Sequence, residues 1–258
     1  MNRIQYDTHK EILISLTKDV YALLKKIDSH ISEEYKENSE NGRMEFAYVK
    51  YYSAELQDLL NLTVYLLQHD IARKYTYFPT RLIMEIVLHQ ENIYSVIKKE
   101  GSTEIKKMLF KDLAMSAKKS LEQPGEEGRD VLQKQLLNLD IASRLLKLDF
   151  KSEDVTTKSK NIIKQLCENS NLTIKGSSGS SLYDYYALFS ETSHANMVAL
   201  GAHSIGSSDA VALADLEISL EFTMQFCEMV ARECNYLDVK LDTENLKLVV
   251  YPKFVFQD

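Results

Sequence analysis

The sequence predicts an all-α protein, a helical bundle of about seven or eight helices closed by a short extended or β C-terminal tail. Three observations lead there. Only 3 Pro and 8 Gly punctuate 258 residues, too few breakers for the many turns of an all-β chain. The stretches between them are rich in Leu, Lys, Glu, Ala and Ile, a composition that favours helices over strands. Within those stretches apolar residues recur at steps of three and four.

Taken in order, Leu13, Leu16, Val20, Leu23, Ile27 and Ile31 form one apolar face of a long first helix. The polar run Glu37 to Gly42 reads as a turn, after which Phe46, Val49, Tyr52, Leu56, Leu59 and Leu66 continue the stripe on a second helix. A short turn makes the two antiparallel neighbours. Pro79 occupies a first helical position, and the pattern runs to Lys99 before Gly101 ends it. Ser102 is the expected cap of a helix reaching about Ser120, with Glu104 in its first turn. Glu122 to Gly128 is a loop, Val131 to Leu148 returns to helical period, and a further helix is expected from Ser152 to Asn169. The small residues from Lys175 to Ser181 make either a lid or an ordered turn.

Ser181 and Asp184 then have the spacing of a capping box for a helix running to about His194. A looser stretch, Ala195 to Ser208, leads into the last long helix, Asp209 to about Asn235. The tail from Leu237 contains LKLVVYPKFVF, dense in β-branched and aromatic residues, and is expected to be extended or β. The expected organisation is one helical domain over 1–236 and a tail over 237–258.

The formal charge is -7, with 31 basic and 38 acidic residues mixed along the chain. No basic arm or stripe exists to neutralise a duplex, so duplex DNA is not an expected partner; a local site for RNA or a nucleotide is compatible with this balance. Cys167, Cys227 and Cys234 have neither zinc spacing nor an accompanying His, so they are expected to be reduced, mostly buried thiols with no metal and no cofactor. Asp7, His9, Lys10 and Glu11 interrupt the N-terminus, which leaves no signal-peptide core, and no run is apolar enough to span a membrane. The expected location is the cytoplasm.

The helix from Pro79 stands out because Glu85 is the one polar residue among Leu82, Ile83, Met84, Ile86, Val87 and Leu88. Such a helix should be buried nearly all round. Arg81, Glu85 and His89 share one strip, and Asn92 extends it. An intrahelical Arg81 to Glu85 salt bridge is the simplest account of the strip. The alternative is a site wall, with Arg as a cationic fork for phosphate or carboxylate, Glu orienting it, and His moving a proton near neutral pH.

A second strip lies in YDYYALFSETSHANM, where Tyr186, Ser190 and His194 repeat every four residues, with Asn196 just beyond. No G-x-S-x-G elbow exposes the serine and no acidic third member accompanies it, so this is not a hydrolase signature. A histidine bonded between packed helices accounts for the strip equally well. Tyr75, Tyr77 and Phe78 before the Pro79 helix could stack a base or staple the helix start, and His203 in GAHSIG reads as a surface residue.

An Arg-x3-Glu strip followed about 100 residues later by a Tyr-x3-Ser-x3-His strip, here PTRLIMEIVLH and YYALFSETSHANM, resembles the bacterial helical family known as domain of unknown function 5677. That family is distantly similar to the HEPN helical bundles, many of them metal-independent ribonucleases of toxin and phage-defence systems. The resemblance covers about residues 45–235. It implies a bacterial defence or toxin-type protein acting on RNA or nucleotides, with Arg81 holding the scissile phosphate and His194 shuttling a proton. Ser190 would be a catalytic residue with them in one cleft, and Glu85, His89, Tyr186 and Asn196 would bind or orient the substrate. The chain departs from the HEPN motif, which sets Arg four to six residues before His on one segment: seven residues separate Arg81 from His89, and His194 is on another helix. A homodimer, by analogy with bundles that complete a cleft at a twofold interface, or a neutralising protein is the candidate protein partner. The alternative function is a non-catalytic interaction or ligand-sensing module in which the same residues form a buried polar network.

Overall fold

Helices and no strand make up the regular structure among the described residues of the computed structural model, which are 3–37, 44–122, 128–156, 162–174, 181–193 and 208–254. In chain order they are α1 Arg3–Glu37, α2 Met44–Gln68, α3 Tyr77–Glu100, α4 Ser102–Leu121, α5 Arg129–Leu145, α6 Ile162–Asn169, α7 Leu182–Ser193, α8 Ser208–Cys234 and α9 Leu237–Phe254. Short 3-10 turns occupy Arg73–Tyr75 and Ser152–Asp154. The all-α class is therefore the one the apolar spacing predicts. None of these helices is long and apolar enough to cross a membrane. The turns expected at 37–42, 122–128 and 175–181, and the stretch 195–208, fall largely outside the described residues.

Two compact units make up the chain: residues 1–42, 46–92 and 163–258 form the first, and 43–45 with 93–162 the second. In the first unit the predicted face of α1, from Leu13 to Ile31, is buried along its length. Each such side chain contributes about 1.5–3 kcal/mol on leaving water. On α2 the buried positions are Phe46, Val49, Ser53, Leu56, Leu59, Leu60, Thr63 and Leu67, an alternation of three- and four-residue steps with Leu59 beside Leu60. The seam takes up Phe46, Val49, Leu56 and Leu59 of the predicted stripe and adds Ser53 and Thr63, while Tyr52 and Leu66 sit half-buried at its edges. The Tyr21 hydroxyl donates to the Gln57 carbonyl, and Lys50 Nζ donates to Ser32 Oγ at 3.3 Å, so α1 and α2 run antiparallel as expected.

Helix α8 occupies the centre of this unit, burying Leu213, Leu216, Leu220, Phe222, Phe226 and Val230. It packs on α1, on α9 and on the Arg73–Tyr75 turn. It ends at Asn235, whose φ of 60° lets the Tyr236 amide reach back to the Ala231 carbonyl at 2.9 Å.

The extended or β tail expected from Leu237 is instead helix α9. Its β-branched residues are overruled by tertiary partners that only a helix presents together. Val239 and Thr243, four residues apart, are buried, and Asp238 and Asp242 on the same helix reach His30 and Lys26 of α1.

The second unit is built on Phe110, Ala114, Leu139, Leu148 and Phe150, with the two Phe rings edge to face at 5.5 Å. Here the helix expected from Ser152 is replaced by a 3-10 turn and extended backbone at Val155, and helix α6 begins only at Ile162. Side chains capture the backbone groups a helix would need. Asp140 accepts from the Ser152 amide at 2.6 Å and its hydroxyl at 2.7 Å, Ser143 donates to the carbonyls of Leu148 and Phe150, and Lys118 donates to those of Glu153 and Val155. Gly101, with φ 86° and ψ 170°, takes the capping position expected of Ser102, which is the first residue of α4. Helix α3 likewise starts at Tyr77, putting Pro79 within a first turn whose N–H groups have no intrahelical acceptor anyway.

Candidate functional site

Helix α3 presents two polar edges. Along one, Thr80, with Thr76 just before the helix, faces α8. Along the other, Arg81 and Glu85 meet α7, and Ile83, Met84, Val87 and Leu88 are buried. The expectation of a helix buried nearly all round holds except beside Glu85, where Leu82 and Ile86 are half-buried.

Arg81 Nε donates to Glu85 Oε1 at 2.9 Å, and the Tyr186 hydroxyl donates to the same oxygen at 2.9 Å. The guanidinium carbon lies 5.7 Å from the centre of the Tyr186 ring, within reach of the attraction between a cation and an aromatic face. The side chains of Arg81 and Glu85 are 22% and 23% exposed, so the pair is shielded without being sealed. Burial alone would loosen the Arg81 proton, but the hydrogen bond and charge of Glu85 outweigh it and hold the group above its ordinary value. Burial, then Glu85, pushes the Tyr186 phenol up, which keeps it a neutral donor.

Beyond Tyr186 the aromatic surface continues. Tyr183 stacks on Tyr186 with ring centres 6.3 Å apart, and Lys164 Nζ of α6 lies 5.6 Å from the Tyr183 ring. The start of α7 is held by the predicted capping box: the Ser181 amide donates to Asp184 Oδ2 at 2.7 Å and the Asp184 amide to Ser181 Oγ at 3.2 Å. These bonds to the Ser181 backbone and side chain hold the Asp184 carboxyl below its ordinary value. The segment leaving α6 is tied to both neighbours. Glu91 of α3 accepts from the Ser170 hydroxyl and the Asn171 amide, and the Gln225 amide of α8 pairs with both backbone groups of Thr173.

The structure thus brings together Arg81, Glu85 and Tyr186, from helices about a hundred residues apart in the chain. His89 and Ser190 follow on the same helices, both half-buried; Asn92 is half-buried as well. His194, Asn196 and His203 lie outside the described residues. Cys167 and Cys227 are buried free thiols and Cys234 is half-buried, as their spacing led one to expect. Among the described residues no group of three or more His, Cys, Asp or Glu could hold a metal ion.

One polar cluster went unread in the sequence. Asp215 of α8 is 3% exposed, and its carboxylate is 2.6 Å from the Thr76 hydroxyl; one turn on, the hydroxyls of Thr80 and Ser219 meet at 2.9 Å. A signal was available: Asp215, Ser219 and Thr223 repeat every four residues on an apolar helix, as Arg81 and Glu85 do. Comparison of the chain with protein-family models, with curated proteins and with solved structures returns no match.

Proposed function

We propose that this is a bacterial defence or toxin-type protein acting on RNA or nucleotides, with Arg81 holding a phosphate and His194 moving a proton without a metal. The observation that supports the reading is the convergence of Arg81, Glu85 and Tyr186. An arginine clamped at Nε by a carboxylate and backed by an aromatic face is pre-oriented, so little side-chain freedom is lost when it meets an anion. Its charge would stabilise the negative charge on the phosphoryl oxygens, while His194 takes a proton from the attacking hydroxyl or returns one to the leaving oxygen. On this reading the protein works in the cytoplasm, and its protein partner is a second copy of itself or a neutralising protein.

A second reading is favoured by the same geometry: Arg81, Glu85 and Tyr186 satisfy one another, as a structural network in a non-catalytic interaction or ligand-sensing module would. RNA degradation and growth inhibition by wild type, Arg81→Ala and His194→Ala, each checked for folding by circular dichroism, separate the two. Folded but inactive variants are expected. Equal activity of wild type and His194→Ala removes His194 as the proton carrier, and unfolding of Arg81→Ala favours the network. Gel filtration with light scattering checks the dimer.

A further inference from the structure

The described residues around the buried acid between α3 and α8 offer it too few hydrogens for an ordinary carboxylate. The Thr76 hydroxyl has a single proton and two acceptors in reach, the Arg73 carbonyl at 3.0 Å and Asp215 Oδ2 at 2.6 Å. If Thr76 donates to Arg73, the short contact to Asp215 requires the acid itself to donate. Among the described residues Thr76 is the one side chain bonded to this carboxylate. The neighbouring hydroxyls are engaged elsewhere: Thr80 is 2.9 Å from the Thr76 carbonyl, and Ser219 is 2.8 Å from the Asp215 carbonyl.

Among the described residues no cation compensates the site. Arg73, on the turn packed against α8, bonds Asp209 and Asp70. From α1, Tyr6 lies against the Arg73 guanidinium and His9 bonds Glu217. The acids of α9, Asp238 and Asp242, pair with His30 and Lys26. Among the described residues, the hydroxyls of Thr76, just before α3, and of Thr80 on it are the side-chain groups of this segment hydrogen-bonded to this stretch of α8.

We propose that Asp215 is a proton-holding latch, fastening the Arg73–Tyr75 turn and the start of α3 to α8 when neutral and loosening that fastening when it ionises. In the neutral form Asp215 Oδ2–H donates to Thr76 Oγ1, and the Thr76 hydroxyl donates to the Arg73 carbonyl. On ionisation the acid proton leaves to solvent base. The Thr76 hydroxyl then turns to Oδ2, and the Arg73 carbonyl keeps only the Thr76 amide, at 3.3 Å. Burial supports the same assignment, lifting the carboxyl from 3.8 to about 7 against the opposing pull of the Thr76 hydroxyl. Because the folded value is raised, the stability is fully present below the unfolded value and is lost as pH climbs through the folded one. The latch stands apart from the reading of the Arg81 site.

A carboxyl-carbon NMR titration of the full chain, with melting temperatures at about pH 5 and about pH 8, tests the latch. One carboxyl should titrate near neutrality in wild type and vanish in Asp215→Asn. Wild type should lose more heat stability between the two pH values than Asp215→Asn does, and the Thr80 amide should lose protection, measured against its intrinsic exchange rate at each pH, over the same interval. In Thr76→Val, which removes the one donor to the ionised form, the titration should move further up. A carboxyl titrating in the ordinary range for aspartate, or an unmoved midpoint in Thr76→Val, overturns the proposal; the wild-type titration decides even if Asp215→Asn does not fold.

Discussion

Glu85 Oε1 accepts from donors on two helices, so one side chain orients both Arg81 and Tyr186. Removing it should cost more than removing either donor, because it leaves a part-buried cation and a hydroxyl without their acceptor. Glu85→Ala is expected to lose about 1.5–3 kcal/mol by urea denaturation, and Tyr186→Phe, which keeps the ring against Arg81, about 0.5–1.5 kcal/mol. Equal losses would mean that Arg81 does not depend on Glu85. The Arg81 strip was legible because a polar residue among six apolar ones must find a polar surface. Asp215 was not, since an acid beside Leu213 and Leu216 reads the same whether its edge of the helix meets water or a neighbour. Only the packing of α3 on α8 decides that.

At the scale of the element, the ends of the helices carry conformational cost that can be tested directly. Gly101 has φ 86° and ψ 170°, and a methyl group there would meet no atom within 4 Å. Any loss in Gly101→Ala is therefore backbone strain alone, expected at about 1–3 kcal/mol in thermal denaturation. Lys147 ends α5 at φ 52° while the Leu148 amide reaches the Ser143 carbonyl at 2.9 Å. Lys147→Gly should stabilise by about 1 kcal/mol, because a β-carbon in this left-handed conformation is a burden glycine lacks. Helix centres were legible from periodicity, as in α1 and α2. The segment after Phe150 and the helix α9 were not, for their backbone bonds are settled by Asp140, Lys118 and the face of α1, all distant in sequence.

Across the whole molecule, a net charge of -7 leaves no long-range attraction for RNA, so binding must rest on a few local contacts. With one or two phosphates neutralised, the affinity for a single-stranded oligonucleotide should fall only about three- to seven-fold between about 50 and about 200 mM salt. Fluorescence anisotropy at the two concentrations checks it, and a fall of a hundred-fold or more would point to a broad basic surface instead of the Arg81 site. The chain's own pattern of apolar residues determined the all-α class, the course of α1 to α3 and the placing of Arg81 with Glu85 on one strip, because hydrophobic period and breakers are local properties that survive in any arrangement of the helices. Tertiary structure alone decided that Glu85 meets Tyr186, that Asp215 is buried, and that the last segment is helical. Each depends on which face of one helix is covered by another, and that is a property of the packed molecule.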